Sequence, residues 1–125
     1  MDLFVSSILS IYCDIIMGLT KVQNYSIEQN DMAQLAKAFA HPARVAIIMH
    51  LLRAKHCINS DLVEELGLAQ ATISQHLNEL KHIGIIKGTV EGTSMNYCID
   101  PETWSLAKLK FNDMFDQFEL KDQCC

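Results

Sequence analysis

Proline and glycine are scarce in this chain, at two and five of 125 residues. Neither type clusters, and no serine-rich or repetitive stretch accompanies them. That excludes a flexible linker, a low-complexity region and a repeat array. Missing too are a glycine-rich phosphate loop, a metal triad and a nucleophile set beside a base, so nothing reads as an enzyme's active site. Basic residues are outnumbered, ten against fifteen acidic, for a net charge of -5. The sum hides an uneven distribution. Lys37 to Lys87 holds six basic and four acidic residues, the remainder four and eleven, and all five histidines (His41, His50, His56, His76, His82) fall in the central stretch. The local field governs attraction to a polyanion, and here it is weakly basic. Modest affinity per protomer and a shallow salt dependence are expected.

Cysteine is present without a framework: Cys13, Cys57, Cys98, Cys124 and Cys125 are an odd number with no regular spacing. This suits a reducing compartment better than a stapled, secreted fold. Long apolar runs are confined to the first nineteen residues, MDLFVSSILSIYCDIIMGL. Asp2 is the only charge before Asp14, which breaks the run, and there is no basic leader region. The stretch is too short to span a bilayer. Phe4, Ile8, Ile11, Ile15 and Leu19 recur at helical spacing, so an amphipathic helix packing on the domain or on a partner is expected. The organisation read from this is an N-terminal extension over 1–25, one domain over 26–120 and a flexible cysteine-containing tail over 121–125. No membrane partner is expected, and the location is cytoplasmic.

What the chain does contain is a strong alternation of element signals. Ile27 to Ala40 forms a first helix, ended by His41-Pro42 because the residue before proline resists the α region. Pro42 suits the first turn of a second helix reaching Arg53, apolar over much of its circumference and so a core element. Asn59, Ser60 and Asp61 are N-cap candidates for a short third helix to about Leu66, where Gly67 turns the chain. A fourth helix runs from Gln70 to Ile83 and stops at Gly84. Strands Ile85–Val90 and Ser94–Ile99 follow, joined by a glycine-containing loop, Glu91-Gly92-Thr93. Asp100-Pro101-Glu102 opens a last helix. The fold class is mainly α with a two-stranded β-hairpin, a winged helix-turn-helix.

The fourth helix carries the functional signal. Ile73, Leu77 and Leu80 form one inward stripe, and the opposite face carries Ala71, Gln75, Asn78 and His82, flanked by Thr72 and Ser74. Asn and Gln can make paired hydrogen bonds to adenine, and Ser and Thr reach base edges or phosphate. A capped helix before it and a hairpin after it have the layout that lays one helix in the major groove of double-stranded DNA. Lys81 and Lys87 add cations at the helix's end and the hairpin's base.

LAKAFAHPARVAIIMHLL (Leu35 to Leu52) followed by DLVEELGLAQATISQHLNELKHIGII (Asp61 to Ile86) resembles the ArsR (arsenic-repressor) family of winged-helix regulators. The similarity covers about Met32 to Asp100. It implies a homodimer built from the first and last helices, and a repressor on an inverted repeat, released by an effector. By position it implies DNA contact from Gln70, Thr72, Ser74, Gln75 and His76. Arg44 matches a patterned arginine with a structural or phosphate-contacting role. His76 also lies nearer the buried stripe than Gln75 does, so packing is an equal expectation for it. The chain departs from the family at Ala69, where a capping serine is common, and at the wing tip, which lacks arginine.

The family's metal-sensing patterns are absent. The positions of its thiolate pair fall on Ile58 and Ser60, and no histidine follows Pro101. No cofactor is required, and no metal or metalloid effector can be named from the residues. A thiol-based arsenite or redox sensor would draw on Cys124 and Cys125, with Cys13 and Cys57. Cys57 beside His56 could be a reactive thiol, whereas Cys98 reads as a structural strand residue. A winged-helix module that binds protein shares the same layout, and the acidic total and bare wing tip favour it.

Overall fold

A computed structural model describes residues 22–58 and 62–119. The chain divides into two compact units between Ala33 and Gln34. In the first unit a 3₁₀ turn, Val22–Asn24, leads to the start of helix α1, Ile27–Ala36. Ser26 and Gln29 cap that start reciprocally: the Ser26 N–H donates to Gln29 Oε1 at 2.9 Å, and the Gln29 N–H donates to Ser26 Oγ at 3.1 Å. Two of the donors left free at the helix end are thereby satisfied. The expected amphipathic helix over Phe4 to Leu19 lies outside the described residues.

The second unit holds the remaining elements. The expected first helix to Ala40 is shorter, because α1 gives way at Lys37–Phe39 to a 3₁₀ turn. Such tightening is common at helix ends. Here it buries Ala38 completely and sets the Phe39 ring edge-on to Trp104 and Phe111, at centroid distances of 6.2 and 6.4 Å. Helix α2 spans Pro42–Ala54, with Pro42 in its first turn. His41 caps it, its Nδ1 accepting the Ala43 N–H at 3.0 Å. Ile47, Ile48 and Leu51 are buried, while Met49 and Leu52 face out, so the core takes one stripe of this helix rather than most of its girth.

Helix α3, Leu62–Leu66, ends at Gly67, whose φ of 63° makes the left-handed turn for which glycine is suited. Helix α4, Gln70–Ile83, closes on Gly84 at φ 94°, whose N–H bonds back to the Leu80 and Lys81 carbonyls. Strands β1, Ile86–Glu91, and β2, Ser94–Ile99, pair antiparallel from Ile86 opposite Ile99 to Glu91 opposite Ser94. On β2, Tyr97 also bridges Ile58, so the chain at Ile58 lies along the hairpin; the expected caps Asn59, Ser60 and Asp61 lie outside the described residues. Helix α5, Pro101–Asp116, starts on an Asp100 cap, the Thr103 N–H donating to its carboxylate at 3.0 Å. The core gathers Leu35, Ala38, Leu62, Ile85, Ile86 and Ala107 with the buried residues of α2 and α4. No single helix among the described residues is long and apolar enough to cross a membrane.

Candidate nucleic-acid interface

Helix α4 is positioned by its buried side. Ile73, Leu77 and Leu80 are 1%, 4% and 0% exposed, and burying each such side chain stabilises by about 1.5–3 kcal/mol. This stripe fixes the helix's rotation, so Ala71, Gln75, Asn78 and His82 are all exposed on the far face, with Thr72 and Ser74 half-buried at its edges. The Gln70 amide donates to Ser74 Oγ at 3.3 Å, aligning two polar side chains along the first turn. Ala69 stands at the N-cap in extended backbone and offers no side-chain bond to the helix.

At the other end of α4, Asn78, Lys81 and His82 line an open hollow of about 390 Å³. Lys81 folds back over the wing. A Cβ placed on Gly88 would come 3.4 Å from both its Cε and its Nζ, and 3.1 Å from Met95 Sδ. Lys87 is exposed at the base of the wing. The wing turn itself is exposed and carries Glu91, whose carboxylate accepts from the Asn96 amide. Its sequence supplies no cation at the tip.

His76 stands apart from the outward face. It is half-buried, and its ring lies 4.4 Å from that of His41. Burial holds its pKa below the ordinary histidine value; His41 and Arg44 push it lower, and Glu79 partly opposes them. Arg44 on α2 pairs with Glu79 on α4 at 3.8 Å, and its Nε is buried without a hydrogen-bond partner. Arg44 therefore ties α2 to α4. His41 and Glu79 were not expected at this junction. The position of His41 just before Pro42 signalled a cap, but its contact with His76 depends on tertiary packing.

The cysteine expectations need correction. Cys57 is not a free thiol in this structure: it is bonded to Cys98, with the two Cα atoms 4.5 Å apart. An odd cysteine count with irregular spacing gave no hint of this pair, because the pairing arises from strand register. Cys13, Cys124 and Cys125 lie outside the described residues. Among the described residues no group of three or more His, Cys, Asp or Glu could hold a metal ion.

Residues 41–87, which hold α2, the helix-turn-helix and the start of the wing, match the family model for bacterial regulatory protein, arsR family. An uncharacterized HTH-type transcriptional regulator of Methanocaldococcus jannaschii is 37% identical over 78 residues, covering 62% of this chain and 88% of the relative. The transcriptional repressor PagR of Bacillus anthracis is 32% identical over 90 residues, covering 71% and 88%.

The chain belongs to the ArsR family.

Solved structures agree with this membership. The crystal structure of PagR matches at a TM-score of 0.54 over 66% of this chain and 95% of that one, at 32% identity. A second ArsR family transcriptional regulator matches at a TM-score of 0.60 over 70% and 94%; at 18% identity it speaks for the fold alone. The ArsR-family fold is a winged helix-turn-helix, and the family's proteins are transcriptional regulators rather than enzymes.

Proposed function

We propose that this ArsR-family chain is a homodimeric, cytoplasmic transcriptional repressor that reads an inverted-repeat operator with the outward face of α4. The observation that carries the reading is the opposition on that helix: Gln75 and Asn78 exposed, Ile73, Leu77 and Leu80 buried behind them. Uncharged amides and hydroxyls on a rigid helix are suited to base edges, where pairing is directional. Gln70, Thr72 and Ser74 lie at the helix N-terminus, where small side chains permit close approach and the dipole favours phosphate. Lys81 and Lys87 supply the cations.

The second copy is argued from α5. Leu106, Leu109, Phe115 and Phe118 are 47%, 68%, 64% and 64% exposed along and just beyond that helix. Leu106 and Leu109 lie opposite the helix's buried side, and Phe115 and Phe118 continue that side beyond the core; uncovered apolar area of this kind suits a protein partner. Pairing two identical α5 faces forms a twofold contact that would place two α4 helices on successive half-sites of a palindrome. The test is fluorescence anisotropy with the chain's own upstream DNA, alongside sedimentation. A dimer with a specific, salt-sensitive shift at submicromolar protein is expected. A monomer, or binding indifferent to sequence, would return the chain to a protein-binding module.

A further inference from the structure

We propose that Cys57 and Cys98 are a reversible thiol pair that opens and closes a covalent clasp around the whole DNA-reading module. The proposal rests on the repressor reading for its output but not for its chemistry. Backbone pairing sets the two residues face to face. The Ile58 N–H donates to the Tyr97 carbonyl at 3.0 Å and the Tyr97 N–H returns to the Ile58 carbonyl at 2.8 Å. Cys57 and Cys98 are the next cross-strand pair, at a position without hydrogen bonds, where antiparallel Cα atoms approach most closely. Their Cα separation of 4.5 Å fits that position. The backbone register itself therefore sets the two residues opposite each other.

The sequence separation of 41 residues encloses α3, the turn, α4, β1 and most of β2. One bond therefore closes a ring around every element that reads or flanks DNA. That bond is within reach of small molecules. Cys57 is exposed and lines an open cavity of about 470 Å³ with His50, His56, Glu65, Glu91 and Asn96. A regulator of DNA works in a reducing compartment, where disulfides are transient and signal redox state. Exposure and compartment together favour a switch over a permanent staple.

The chemistry balances with a low-molecular-weight disulfide as oxidant. The Cys57 thiolate attacks one sulfur of the small disulfide and expels one small thiolate, leaving a mixed disulfide on Cys57. The Cys98 thiolate then attacks the Cys57 sulfur, forms the Sγ–Sγ bond and expels the second small thiolate. Two electrons and two protons pass from the protein to two small thiols. Reduction by the reverse path leaves the Ile58–Tyr97 backbone bonds and the core to hold the wing against the segment before α3. Losing the bond removes the covalent tie between Cys57 and the wing and leaves their relative position to two backbone hydrogen bonds, so the reduced form binds DNA more weakly.

The test equilibrates the full chain in glutathione buffers of graded oxidised-to-reduced ratio, then quenches with an alkylating agent. Tryptic digestion without reduction releases Cys57 on residues 56–81 and Cys98 on residues 88–108. The linked pair of peptides should rise with oxidised glutathione, and affinity for the upstream DNA should rise in step by about tenfold, within the usual 5–150-fold span of coupled two-state sites. Cys57→Ser and Cys98→Ser should each hold the reduced-state affinity and ignore the buffer. If one variant fails to fold, the other and the reduced wild type supply the comparison. A pair that stays linked or stays open at every ratio overturns the switch, as does DNA affinity identical in both states or redox sensitivity that survives in the serine variants. DNA binding absent in both states would instead sink the repressor reading, while the peptide map alone would still decide on the thiol pair.

Discussion

Helices α4 and α5 solve the same packing problem and present opposite chemistry to their surroundings. Each commits a stripe to the core: Ile73, Leu77 and Leu80 on α4, and Ala107 with the half-buried Trp104 and Phe111 on α5. Outward, α4 shows Gln75 and Asn78, whereas α5 shows Leu106 and Leu109, with Phe115 exposed where its buried side runs past the core. A polar outer face can remain in water until a polar partner arrives. An apolar one is stable only when covered, because each exposed Å² of apolar surface costs about 25 cal/mol. The proposed function follows this contrast, giving one helix to DNA and the other to a second copy of the chain.

The harshest way to break the comparison is to charge α5. Leu109→Asp with Phe115→Asp should yield a folded monomer by sedimentation, with operator affinity down by at least about a hundredfold, since two half-sites would no longer be bound as one. A dimer that survives would move the interface elsewhere. Next in size are the two sides of α4. Leu77→Ala should cost about 2–5 kcal/mol in urea unfolding, through lost burial and a cavity. Ser74→Ala with Gln75→Ala should leave unfolding almost unchanged and weaken specific binding by about 5–150-fold, the equivalent of one good base contact at 1–3 kcal/mol. If the two variants exchanged phenotypes, the rotation assigned to α4 would be wrong.

A smaller effect tests the uncapped start of the same helix. Ala69→Ser should add about 1 kcal/mol of stability by supplying the missing acceptor, read as a raised urea midpoint. The smallest concerns pH. His76 is held below its ordinary pKa by burial, then by His41 and Arg44. The unfolded chain takes up that proton near pH 6.5 while the folded chain still resists it. The resulting stability is whole above about pH 6.5 and is lost as pH falls toward the folded pKa. Urea midpoints at pH 7.5 and 5.5 should differ less for His76→Gln than for wild type.

Much of this was legible in the residues because the governing forces are local. The α4 limits of Gln70 and Ile83 and the β2 limits of Ser94 and Ile99 agree with the expectation, since the aliphatic stripe, Gly84 and the alternating strand each act within a few residues. Strand β1 runs Ile86–Glu91, one residue later than expected at both ends. Where long-range packing decides, sequence was a poorer guide. The close of α1 follows the demands of Phe39 against Trp104 and Phe111. The exposure of Met49 and Leu52 depends on which side of α2 the core occupies. The Cys57–Cys98 bond depends on a register between segments 41 residues apart. At the site, the outward polar face was readable, whereas the Arg44–Glu79 pair and the His41–His76 contact were not.

Gly88 carries a last consequence. The end of Lys81 rests beside this residue, its Cε and Nζ each 3.4 Å from where a Cβ would stand, so the bare Cα leaves room for the ammonium of the neighbouring helix. A Cβ there would press on Met95 Sδ and only touch Lys81, whereas a side chain reaching further would compete with Lys81 for the same place. Position 88 is thus a tuning peg for electrostatic reach: the Lys81 ammonium can be re-aimed without altering Lys81 itself.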